Sequence, residues 1–531
     1  MSHQTEGTAR IIRLSLRTGW PGLLAVAALA AGLVTTVAGS IAALYPDLTD
    51  RQLYAETLGV SPATQAFNGL GHGLHTLGGI TAYEIGFMGQ LLFPLLALHV
   101  AVRHTRGEEE AGRTELLTAT RLGRLAPLAA GAVLLLGTCL LTGALMLPGM
   151  VVAGLGAGSI WYVAGVVLLM LFFGATGLLL GQLAQSTRTA HLIGLGLTTG
   201  AFLTRAVIDG RGWDAAWASP LGWAAAIAPF AQPRAWPLVA FALGSLLLLA
   251  AATWVALRRD LGAGVIAPHP GPARARPARV QPALGTVLGV AWRLTRPTAL
   301  AWGVIAVLWA GSFGLLTEEM ASLVDDNPTV LAALGVERGA DVVTGMAVVV
   351  IVLAATAAAV QGSSQLGTEE GAGRLSALLA TRRSRTGVWL GWWAVVAASS
   401  LIVLTVGVLA LGLTSWATTG DRDTLGTALG VGWGYAVPVL FVAAIASALR
   451  AALPPLAGLA WLLVGWIVLV GFLAETLRLP AWSRDLSPVH LVGTLPQDDL
   501  SGAATLALGV AAATIFAGSI VAFRRRDLRT T

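Results

Sequence analysis

The chain holds few side chains able to do chemistry, and the missing ones constrain function first. All 33 basic residues are arginine and none is lysine. The phosphate-binding loop of ATPases, G-x-x-x-x-G-K-[ST], sets a lysine on the β- and γ-phosphates. A chain without lysine contains no such loop, so it is expected to bind no ATP and no other cofactor of its own. The single cysteine, Cys139, lies in an apolar run and makes no internal disulfide. The eight histidines are scattered. The closest pair, His72 and His75, sits in a glycine-rich loop, where a structural or interfacial role fits better than a metal site. Asp47 and Asp50 would be the acids to nominate for a membrane glycosyltransferase, but no metal cluster or nucleophile accompanies them. No catalytic residue is therefore expected.

Carboxylates in two clusters are more informative. Glu108, Glu109 and Glu110 open a stretch that continues through Gly112 and Arg113 to Arg121 and Arg124. Glu369 and Glu370 open another, through Gly373 and Arg374 to Arg382 and Arg385. The two are copies: at an offset of 261, ten of 17 positions from 108 to 124 recur without a gap. Each begins acidic and ends basic. That order suits a short helix lying across a membrane face, its first-turn acids and last-turn arginines complementing the macrodipole. Arginines alone would read as anchors to lipid. Acids beside anionic lipid are unhelpful, so a protein partner is the better reason for them. A further carboxylate, Glu84, falls within an apolar run. Ionisable residues there are functional candidates by default. Its place near one end of the run favours a structural or gating role, with contact to a cationic substrate as the alternative.

The elements that must position these residues are membrane spans. The chain is 56% hydrophobic and 11% charged, against about 25% charged in soluble domains. Twelve runs reach the roughly 20 apolar residues that a spanning helix needs: 22–43, 81–102, 125–147, 160–183, 190–207, 236–257, 299–316, 342–360, 388–413, 425–449, 456–473 and 503–523. The fold class expected is an all-α polytopic membrane protein. Residues 10–20 are expected to form a separate amphipathic helix along the membrane surface, and the first span to be retained rather than cleaved as a signal. With the N-terminus inside, 25 arginines fall on the inner side and 8 on the outer, while acids number 9 and 17. The positive-inside rule therefore places both termini in the cytoplasm of a bacterial inner membrane. The sequence pI near 10.3 then reports topology and attraction to lipid, not nucleic-acid binding.

The spans form two parallel six-helix repeats, each entering from the same side. Other landmarks recur in order: Leu58-Gly59-Val60 as Leu334-Gly335-Val336, Arg188 as Arg450, Ser219-Pro220 as Ser487-Pro488, and Arg258-Arg259-Asp260-Leu261 as Arg525-Arg526-Asp527-Leu528. The expected organisation is a first repeat over 1–264, a Pro/Arg-rich linker over 265–290 that lacks core residues, and a second repeat over 291–531.

An acidic residue, then Gly-Arg, then Leu-Leu and a basic turn, all between the second and third spans, resembles the coupling helix of type-2 ABC exporter permeases. The closing Arg-Arg-Asp-Leu and the Ser-Pro before the last span of each half fit the same family. The doubled single-chain form resembles the actinobacterial tetronasin and polyketide-antibiotic exporter permeases. This resemblance covers essentially the whole chain. It implies a permease that exports a small hydrophobic or amphipathic antibiotic or drug. Two copies of a separate ATPase subunit, which carries ATP and magnesium, would dock on the cytoplasmic face at the two acidic-to-basic loops. It also implies short re-entrant helices in 208–237, where Trp217 and Trp223 would join Glu84 at an outer gate. Interfacial anchoring explains those tryptophans equally well.

A proton-coupled carrier of the major-facilitator type also has six plus six parallel spans. The duplicated loop does not read as that family's short Gly/Asp/Arg loop, and mid-span acids for a proton relay are nearly absent.

Overall fold

The computed structural model describes residues 4–57, 62–114, 122–260, 264, 285–325, 338–474 and 479–528. Among them, regular structure is helical and no strand forms. Lipid offers the backbone no hydrogen bonds, so a spanning segment must satisfy its own, and the helix does so locally. Twelve helices are long and apolar enough to cross a membrane. The protein is an all-α polytopic membrane protein. It divides into two compact units, Met1–Gly271 and Pro272–Thr531. Most of the 265–290 linker, and both Leu-Gly-Val landmarks, lie outside the described residues.

In the first unit α1 is Thr8–Leu44, α2 Leu48–Thr57, α3 Pro62–Asn68, α4 Leu77–Arg103, α5 Arg106–Glu110, α6 Ala126–Val152, α7 Gly158–Leu183, α8 Thr187–Gly210, α9 Pro220–Ala226 and α10 Trp236–Arg258. The core is built on α4 and α7. Helix α1 packs on α6 and α4, and α10 packs on α7. Close approach comes from small residues, as expected where lipid gives no hydrophobic drive between helices. Ala27, Ala30, Ala31, Val34 and Ala38 form the buried stripe of α1. A Cβ on Gly149 of α6 would lie 2.1 Å from Thr35 Cγ2.

The surface helix expected over 10–20 is not separate. It and the first span are one helix of 37 residues, with Pro21 inside. At about 1.5 Å per residue that helix outruns a hydrocarbon core of about 30 Å, so its first turns must project beyond it. The second unit repeats the device. Its α11, Val287–Leu315, carries Pro297 inside and begins twelve residues before the expected span. Arg17 and Pro21 correspond to Arg293 and Pro297.

Also in the second unit, α12 is Thr317–Asp325, α13 Gly339–Gly371, α14 Arg374–Leu379, α15 Arg385–Thr419, α16 Asp423–Gly434, α17 Ala436–Ala452, α18 Ala460–Leu473, α19 Ala481–Arg484, α20 Pro488–Leu491 and α21 Gly502–Arg525. Here α13 is central: α11, α15 and α17 pack around it, and α21 packs on α17. The tenth span is built from α16 and α17, which meet at Tyr435.

Candidate functional site

The two acidic clusters sit at helix ends, but at C-terminal ones. Helix α13 runs through the expected loop to Gly371, so Glu369 and Glu370 occupy its last turn. Helix α5 likewise ends at Glu110. The short helix α14 begins with Arg374, not with acids. The dipole argument for a helix starting at the acids is therefore overturned in the second unit, whereas in the first Glu108 and Glu109 also lie in the first turn of the short α5. A carboxylate at a helix C-terminus is disfavoured by about 0.3–1 kcal/mol, and arginines brought from other elements reverse that sign.

In both units the backbone leaves the acidic turn through a glycine in the left-handed region, Gly112 at φ 71° and Gly373 at φ 72°. A side chain there would cost about 1–2 kcal/mol. This turn folds the next arginine back onto the first acid. Arg113 donates from Nε and Nη2 to Glu108 at 2.6 and 2.8 Å. Arg374 does the same to Glu369 at 2.6 and 2.8 Å. Both arginine side chains are exposed, at 56% and 60%. The hydrogen bond to the carboxylate holds each guanidinium more firmly protonated than usual.

The second acid of each cluster points inward. Glu109 is 8% exposed and Glu370 2%. Arg259, at the end of the sixth span, grips Glu109 with two bonds of 2.9 and 2.8 Å. Arg526, at the end of the twelfth, grips Glu370 with two of 2.7 Å. Each carboxylate then takes a second arginine. In the first unit it is Arg106 on α5, at 3.1 Å. In the second it is Arg450 on α17, also at 3.1 Å. The two guanidinia come from different places in the sequence. Position 367, which aligns with Arg106, is glycine, and a Cβ there would lie 2.2 Å from Arg450 Cζ. Arg188, which aligns with Arg450, is exposed. Each unit thus fills the same space with one arginine, drawn from opposite sides of it.

Two more expected residues complete the tie. Arg124 donates to the carbonyl of Arg259 at 2.7 Å, and its copy Arg385 to that of Arg526 at 2.7 Å. Both cap the C-terminus of the last span of their own unit. Arg259 also donates to Gln182 at 2.9 Å, and Glu110 accepts from the Thr187 backbone N–H at the start of α8 at 2.9 Å. Arg382 is exposed; Arg121 lies outside the described residues.

At the other end of α4, the exposed Glu84 accepts a hydrogen bond from the Tyr54 hydroxyl. Burial, and then the nearby Glu84 charge, push the Tyr54 phenol well above its usual range, so it stays a donor. Between α8 and α10 lie a short 3₁₀ turn, Ala216–Ala218, and α9. Trp217 is 71% exposed. Trp223 donates to the Trp217 carbonyl at 2.8 Å and packs its ring against Phe172 and Phe241. These side chains do not converge on Glu84.

A known relative aligns with 98% of the chain. The multidrug efflux system permease protein Rv1217c of Mycobacterium tuberculosis (strain ATCC 25618 / H37Rv) is 30% identical over 532 residues, covering 95% of that protein. Residues 284–524 match the model for the C-terminal domain of the multidrug efflux system permease Rv1217c. The chain belongs to this multidrug efflux permease family. The domain matched by that model includes α13, the Gly373 turn and most of α21, with Glu370 and Arg450 of the tie; Arg526 lies two residues past its end.

One buried pair escaped the sequence reading of this Rv1217c-type chain. Arg205 and Asp209 on α8 are 0% and 2% exposed and 3.4 Å apart. Arg205 also donates to the carbonyls of Gln65 and Phe67 at 3.1 and 2.7 Å, which pins α3 to α8. The fifth span was expected to end at 207. An i, i+4 Arg-Asp pair straddling that boundary was the available signal.

Proposed function

We propose that the chain is the membrane permease of an ATP-binding-cassette exporter. Its termini and both acidic-to-basic loops face the cytoplasm of a bacterial inner membrane, and two copies of a separate ATPase subunit dock there. The partner carries ATP and magnesium; the permease holds no ATP site or other cofactor and is not itself an enzyme. The cargo is a small hydrophobic or amphipathic drug. The name of the Mycobacterium tuberculosis relative supports that class, and the resemblance to tetronasin-type exporters adds polyketide antibiotics to it.

The observation that carries this reading is the matched construction of the two loops. Each presents one bidentate Glu-Arg pair on a left-handed glycine turn, its arginine exposed in both units and its glutamate buried in the second. Directly behind it, each buries a second carboxylate against an arginine from the last span of the same unit. An exposed pair contributes only about 0–1 kcal/mol to stability, so stability is a weak reason for repeating it. A buried pair costs about 3–5 kcal/mol to break, which makes the tie stiff. A push on the exposed pair would pass through it to the last span rather than dissipate in the loop.

The test is reconstitution of the chain with and without its ATPase in vesicles, with efflux of an uncharged fluorescent drug as the readout. Efflux should require both the ATPase and ATP. Efflux by the chain alone, driven by a pH gradient, would contradict the proposal and favour a proton-coupled carrier.

A further inference from the structure

The first unit holds a cavity that the loops do not explain. It lies between α4, α7 and the α9 segment and has a volume of about 80 Å3. Its floor is one face of α4, where Tyr83, Gly86, Gln90 and Phe93 recur at helical spacing. Tyr162 of α7 and Ile227, just after α9, close it opposite.

The polar part of that lining is incomplete. Gln90 is 6% exposed, and among the described residues nothing donates a hydrogen bond to its Oε1. A buried polar atom left unmatched costs about 1–3 kcal/mol, and the Gln90 side chain lines the cavity, within reach of an occupant. The occupant's charge is restricted as well. Among the described residues no carboxylate or guanidinium lines the cavity. His72, which does line it, is held below its usual pKa by burial and then by the Arg234 charge, so it stays neutral near pH 7. An ion placed there would be desolvated without a partner. Glu84 does not line the cavity, although its neighbour Tyr83 does.

The second unit lacks the polar feature. At the offset of 261, Gln90 aligns with Ile351, which is fully buried, and Tyr83 with Thr344. An element needed only to hold the fold would be expected in both copies.

We propose that this cavity binds an uncharged amphipathic small molecule, its apolar body against the aromatic wall and a hydroxyl or amide hydrogen on Gln90 Oε1. The site rests on the reading of the chain as a permease for such cargo. It lies wholly inside one six-helix unit.

The experiment uses the full purified chain in lipid nanodiscs, without ATPase, and a diazirine-bearing octanol as the probe. Photolabelled residues are mapped by mass spectrometry. Labelling of Tyr162 and Tyr83 should saturate and be competed by 1-octanol more effectively than by octane. Gln90→Ile, which installs the second unit's residue, should weaken saturable labelling about tenfold, the value of one hydrogen bond. Gln90→Asn, which keeps the carboxamide, should lose less. Non-saturable labelling confined to lipid-facing residues would overturn the site, as would a Gln90→Ile variant that labels like the parent while remaining monodisperse. Saturable labelling in a chain whose efflux needs no ATP would leave the site standing and sink the exporter reading instead. Loss of the site with ATP-driven efflux intact would do the reverse.

Discussion

Glu109 and Glu370 are carboxylates taken out of water, and each is tolerable only because arginines follow it in. Removing one arginine leaves a buried charge short of its partner, at about 3–5 kcal/mol. Arg259→Ala and Arg526→Ala should each lower the thermal midpoint of the purified protein markedly, whereas Arg113→Ala should leave it nearly unchanged, because exposed pairs contribute about 0–1 kcal/mol. An Arg259→Ala variant as stable as the parent would contradict the tie. The exchange of arginines between units makes a sharper forecast. Arg450→Ala should destabilise the second unit, and adding Gly367→Arg, which copies the first unit's arrangement, should recover much of the loss. A double variant no more stable than Arg450→Ala alone would refute the equivalence of the two positions. The sequence displayed both ends of this tie as separate repeats, the acidic turn and the closing Arg-Arg-Asp-Leu. It did not pair them, because about 150 residues separate Glu109 from Arg259 and their offsets differ. Gln90 was illegible for another reason: an amide in an apolar helix becomes informative only when the cavity before it is seen.

At the scale of elements, twelve spans and their approximate bounds were legible from hydropathy, since a spanning helix has one length set by the bilayer. The helix ends were less so. Apolar runs stop where polar residues begin, but α1, α11 and α13 continue as helices through them. Intrahelical hydrogen bonds do not depend on side-chain polarity. Hence the loop helix was expected to begin at the acids, when the acids close the preceding helix. Orientation is open to a direct check. In a Cys139→Ala background, a cysteine at Asp423, ahead of the tenth span, should react with an impermeant thiol reagent from outside. One at Ser384, the N-cap of α15, should react only after the membrane is opened. The reverse pattern would move both loops to the outer face and remove the ATPase from them.

The whole molecule carries two copies of one device and one copy of another. Both loops repeat the exposed pair, the glycine turn and the buried tie, as expected if each serves one of two equal partners. Only the first unit places a carboxamide where the second has Ile351, so under the proposal cargo contact would be unequal between the two halves. An all-α efflux permease was readable from the sequence. Which acid of the first cluster is buried was not, since Glu108 and Glu109 are adjacent and identical in type, and Glu109 alone reaches Arg259. The central claim is that the exposed pairs, not the buried ones, transmit the ATPase stroke. Its most direct test is the double reversal Arg113→Glu with Arg374→Glu, reconstituted with the ATPase and scored for efflux and cargo-stimulated ATP hydrolysis. Like charges would then face Glu108 and the buried Glu369, with the Glu109 and Glu370 ties untouched. Expression should match the parent, while efflux and stimulated hydrolysis fall at least tenfold. Normal efflux with the ATPase still bound would show that these arginines only anchor the loops, and would contradict the claim.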